Sequence, residues 1–150
     1  MRTTMTLDVN AARLIHIDWL MQLESSLDLG PNPAGTPVMG TPPQSDTECA
    51  LGVWLHGPGR LRYGQLDEIK RLTIEHRTFH RTIDKAAARV HQGEREKALA
   101  LFQDARRISK DIVYLLTFIE LEILERERKR HLSRNPFNAI RSFFSGIAAR

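Results

Sequence analysis

Residues 66–91 read LDEIKRLTIEHRTFHRTIDKAAARVH, and their spacing decides the fold. Ile69, Leu72, His76, Phe79, His80, Ile83, Ala87 and Val90 recur at steps of three and four. That spacing puts them on one side of a helix, while most positions between them are charged. A helix is therefore predicted from about Leu66 to His91, ending near Gly93. An apolar stripe of this length needs other elements to cover it. Two of its members, His76 and His80, are not apolar.

The covering elements can be read on either side. Upstream, Ala12, His16, Trp19, Leu20, Leu23 and Leu27 share a face, predicting a helix from about Leu7 or Asp8 to Leu27. Downstream, Ala98, Phe102, Ala105, Ile112, Leu116, Ile119 and Ile123 mark a long helix from about Glu94 to Arg130. Between the first two helices lies a Pro/Gly-rich loop, 28–46, holding five of the seven prolines. A short helix follows, from about Thr47 to His56. Ser45 and Glu48 have the spacing of a capping box, and Gly57, Pro58 and Gly59 stop the helix. The expected fold is all-α, an antiparallel four-helix bundle with three long helices and one short helix carrying Cys49. The 150 residues suit one domain, 1–132, followed by a tail, 133–150.

In that tail, Asn135 and Pro136 look like a helix start, and Phe137, Ile140, Phe143, Phe144 and Ile147 lie broadly on one side. Such a basic amphipathic segment is suited to a membrane surface, to a partner, or to packing on the bundle. The net charge is +4 and the pI about 9.6. Much of the excess sits between Arg126 and Arg134, where it complements a helix C-terminus, so no nucleic acid is expected. A single cysteine excludes an intramolecular disulfide. Met1 to Asn10 has no apolar signal core, and the stretch around Tyr114 to Ile119 is too short to span a bilayer. The expected compartment is the cytoplasm.

The chemistry-bearing residues converge. His76 and His80 stand one helical turn apart, about 6 Å between β-carbons, close enough to grip one metal. His16 lies on the apolar face of its own helix. Cys49 is expected in the first turn of the short helix, where the helix dipole favours the thiolate that binds metals. His56, His91 and His131 fall at helix ends or on polar sides. Two readings stand on spacing alone. These residues either hold a zinc ion or are hydrogen-bonded core residues. Burying three histidines without partners is costly, which favours a common ligand.

The segments His16-Ile17-Asp18-Trp19, Cys49-Ala50-Leu51-Gly52-Val53-Trp54-Leu55 and His76-Arg77-Thr78-Phe79-His80 together resemble the chemoreceptor zinc-binding domain family. Ser109, ahead of an apolar stretch, also fits, and the resemblance covers about Leu7 to Glu125. It implies a four-helix bundle and a tightly held Zn2+ on His16, Cys49, His76 and His80. It also implies a homodimer and a sensory role beside a chemotaxis or cyclic-di-GMP output module. Trp19 and Trp54 are expected to pack around the site, and Gly52 to let the short helix approach a neighbour.

No cyclase motif or receptor hairpin is present, so the expected sensor acts on a separate signalling protein. Its input is zinc availability or oxidation of Cys49. Three neutral histidines and one thiolate leave a zinc site at net +1, which calls for carboxylates behind the rings. Asp18, Glu75 and Asp84 are the nearby ones. No enzyme is expected. His-Glu-x-x-His, a nucleophile elbow and a phosphate loop are missing, as are the Glu-x-x-His pairs of di-iron bundles. The alternative function is a protein-interaction module with a structural zinc, acting through the basic tail. Off the main stripe of the last long helix, Ile108, Val113, Leu115, Leu121 and Leu124 are free either to face a second subunit or to cover the bundle's own sides.

Overall fold

The computed structural model describes residues 7–29 and 45–134, and every regular element among them is helical. In order they are α1 (Val9–Leu29), α2 (Ala50–His56), α3 (Pro58–Tyr63), α4 (Asp67–His91) and α5 (Arg95–Arg134). Most of the Pro-rich loop, and the tail from Asn135 on, lie outside the described residues.

α1 starts where the Asp8 carboxylate accepts the Ala11 N–H at 2.9 Å, satisfying one orphan donor of the first turn. α4 opens with Asp67 and Glu68, whose charges suit the positive end of the helix. It closes on Gly93 at φ 73, a left-handed conformation that costs a glycine nothing. The Glu94 N–H then reaches the Arg89 carbonyl at 2.9 Å and the Gly93 N–H the Val90 carbonyl at 3.0 Å, the two bonds of a Schellman close.

Among the described residues five helices stand where four were expected. Gly57, Pro58 and Gly59 do end α2, but they also begin α3. Gly57 is the last cap of one helix and the first of the next, with Pro58 at the first helical position. The capping box also sits differently. Glu48 accepts the Ser45 N–H at 3.3 Å as expected. The chain nevertheless stays in a turn through Glu48, and α2 begins only at Ala50, so Cys49 is its N-cap rather than a first-turn residue.

The chain divides into two units, Met1–Leu116 and Thr117–Arg150. In the first, α1 packs on α4, α2 on α3 and α4, and α3 on α4. The core holds Leu23, Leu51, Leu55, Leu72, Phe79, Ile83 and Ile112, each contributing about 1.5–3 kcal/mol by leaving water. The predicted stripes hold with small changes. On α4 it is Ala86 rather than Ala87 that is fully buried, on α1 Leu20 is only half-buried, and on α5 Ile123 is half-buried. Ile108 and Leu115 are buried within this chain and so do not offer themselves to a second subunit. Arg95 donates to the Leu27 carbonyl near the end of α1. In the second unit, exposed Leu121 and Leu124 flank a ladder of ion pairs that includes Arg128–Glu125 at 2.9 Å. No helix among the described residues is long and apolar enough to cross a membrane.

Candidate metal centre

The site grows from one turn each of α1 and α4 and from the N-cap of α2. His76 and His80, four apart on α4, bring their Nε2 atoms to 3.1 Å. Cys49 Sγ lies 3.2 Å from His76 Nε2 and 3.7 Å from His80 Nε2. His16 comes in from α1, its ring 5.1 Å from that of His76 and 5.8 Å from that of His80. One donor atom from each of the four lies within 4.8 Å of the others, and all four residues are buried. Around a tetrahedral zinc, with bonds of about 2.0–2.3 Å, neighbouring donors stand roughly 3.3–3.6 Å apart. The α4 and α2 donors already match that spacing to within a few tenths of an ångström.

The electrostatics fit the same purpose. His16 Nδ1–H donates to the Ala12 carbonyl at 2.5 Å, which fixes the tautomer and leaves Nε2 with a free lone pair. That Nε2 is buried and has no hydrogen-bond partner among the described residues. An orphaned acceptor of this kind is costly unless a ligand takes it. Burial pushes His16 down to about 4, with the Ala12 hydrogen bond opposing and His80 adding to the shift. Burial, then His16, His80 and His56, push His76 down to about 2. Both rings are thus neutral at pH 7, the form a metal needs.

Cys49 behaves differently from the expectation drawn from its place at a helix start. The Gly52 N–H does donate to Sγ, at 3.3 Å, and together with that of Leu51 favours the thiolate. Burial outweighs both, and Asp46 adds to it, so the thiol is raised. The N–H groups at the helix start do not offset burial at this sulfur.

Around these donors, Trp19 stands edge-on to His80 at 4.9 Å and to His16 at 5.3 Å. Phe79, fully buried, lies 5.3 Å from the His16 ring and closes the same side. Gly52 is at the position expected for close approach, and the neighbour is the chain itself. A β-carbon there would sit 1.9 Å from the Asp46 carbonyl oxygen. Trp54 stacks on Tyr63 at 6.2 Å and presses on Gly59, so it ties α2 to α3. Of the three nearby carboxylates, Asp18 accepts from Gln22 at 2.6 Å, Glu75 is half-buried, and Asp84 is raised by burial with His80 opposing. The group behind His16 is the Ala12 carbonyl, not a carboxylate. Sequence reasoning missed it because a main-chain oxygen leaves no signature beyond the four-residue step.

Residues 16–87 match the family model described as chemoreceptor zinc-binding domain. No curated protein and no solved structure matches the chain.

Proposed function

Because residues 16–87 make this chain a member of the chemoreceptor zinc-binding domain family, we propose that His16, Cys49, His76 and His80 hold one Zn2+ and that the protein is a sensor built on that site. The observation that carries the reading is the buried, unpartnered Nε2 of His16 beside three further donors at zinc-like spacing. Zinc, when bound, supplies the positive charge that keeps the Cys49 sulfur as a thiolate. Four protein donors close the coordination sphere, which favours a sensory over a catalytic site.

Cys49 gives the site its output. Its sulfur is both a metal donor and the cap that accepts the Gly52 N–H at the start of α2. An oxidant that takes the thiolate to a sulfenic acid changes both contacts at once, and so does loss of the metal. α2 then loosens against α4, and a separate signalling protein reads the change. The protein works in the cytoplasm as a homodimer. Supporting the dimer, α1 is apolar on both sides: Leu14, Ile17 and Met21 form a second, exposed stripe opposite His16, Trp19 and Leu23.

Metal analysis with X-ray absorption tests the reading. About one zinc per chain is expected, with one sulfur and three nitrogen neighbours. The content should fall to a trace in Cys49→Ala and His80→Ala. Full zinc in either variant, or a spectrum without a sulfur neighbour, would remove the proposed ligand set.

A further inference from the structure

We propose that the cleft bounded by α2, α3 and α4 is a binding site for a small phosphate-bearing molecule with an apolar part. The cleft has a volume of about 430 Å³, and none of the four buried donors lines it. Its rim is basic from three directions. His56 ends α2, Arg60 comes from α3, and Lys70 and Arg77 stand two turns apart on one face of α4. Among the described residues lining it, none is acidic. Its base is formed by Leu55 and Ile69, both buried.

Basic side chains gathered around one concavity repel one another unless an anion lies among them. The acids present are outside the cleft and weakly held. Asp67 meets Lys70 at 2.7 Å but is 90% exposed, and Asp46 meets Arg77 at 3.4 Å, long for such a pair. The first pair is exposed and the second partly so, and surface pairs of this kind are weak enough to exchange for a better-placed anion. Arginine forks and a lysine match a phosphate group in both charge and geometry. Inorganic phosphate alone leaves most of this volume empty and the Leu55–Ile69 base uncovered. An organic phosphate uses both, in a cleft of the size that small-ligand sites have.

Calorimetric titration of phenyl phosphate into the whole protein tests this. One site per chain is expected, weakened roughly tenfold in Arg60→Ala and in Lys70→Ala. Both side chains are exposed, so circular dichroism of the variants should match the parent. Amide shifts should move in 60–64 and 70–77. Four results overturn the proposal, three of them from the titrations. Those three are no saturation by about 10 mM, equal binding in parent and variants, and phenol binding as well as phenyl phosphate. Shifts confined to the basic stretch from Arg126 to Arg134 also overturn it.

Discussion

α4 and the segment 45–63 bring donors to the same point by different means. α4 is 25 residues long, and its register is set by nine buried residues along one side. His76 and His80 are where the helix puts them, and moving either means moving the stripe. Cys49 stands at the head of a seven-residue helix, held by its own sulfur cap, by a glycine pressed on the preceding turn, and by the long Arg77–Asp46 pair. A helix of that length does not stand alone in water. The contrast locates rigidity on the histidine side and responsiveness on the cysteine side.

Removing zinc is the strongest way to sharpen that contrast. In hydrogen exchange, amides of 50–63 should speed up by roughly a thousandfold on chelation, and those of 67–91 by less than about tenfold. Equal acceleration in both would break the comparison.

A pH series on metal-free protein comes next. His16 and His76 bind protons more weakly folded than unfolded, falling from 6.5 to about 4 and about 2. The unfolded chain therefore takes up more protons below 6.5. Stability is full above that pH and drains away as pH falls towards 4, by roughly 3 kcal/mol from His16 alone. Urea midpoints read this directly, and a flat profile would mean the rings are not buried as neutral groups.

Gly52→Ala should cost about 2 kcal/mol, because its methyl group collides with main chain rather than with a side chain that can turn away. Thermal unfolding measures the loss, and zinc affinity should fall with it as the cap is disturbed. The smallest effect belongs to Arg77→Ala. The pair it breaks is partly exposed, and the expected change is below about 1 kcal/mol. A loss of several kcal/mol would show that the turn at Asp46, not the α4 stripe, anchors the site.

The long helices were legible because each carries a stripe whose period fixes both type and face. Gly93 and Asp8 marked ends correctly, since each satisfies a specific orphan group. α3 was not legible as a helix, because Gly-Pro-Gly reads as a stop while the same residues also serve as a start. The start of α2 was placed too early for a related reason. The Ser45–Glu48 bond forms, but it closes a turn and not a helix. The four clustered residues were visible from spacing and family resemblance together. The thiol's ionisation was not, because burial depends on α4 lying over it. Phe79 was read as part of the stripe; that it also walls the His16 ring is a property of packing between α1 and α4.

Cys49 and His76 are 27 residues apart in the chain, and their donor atoms meet at 3.2 Å. On the proposed ligand set the ion is a clasp that turns this stretch into a closed ring containing all of α2 and α3. Tying such a ring removes conformations from the unfolded chain, by about 3.5 kcal/mol if it behaves as a disulfide-closed loop of that length does. Opening the clasp at the sulfur returns that freedom to the two short helices together, so chemistry on one atom becomes a change in the connectivity of the chain.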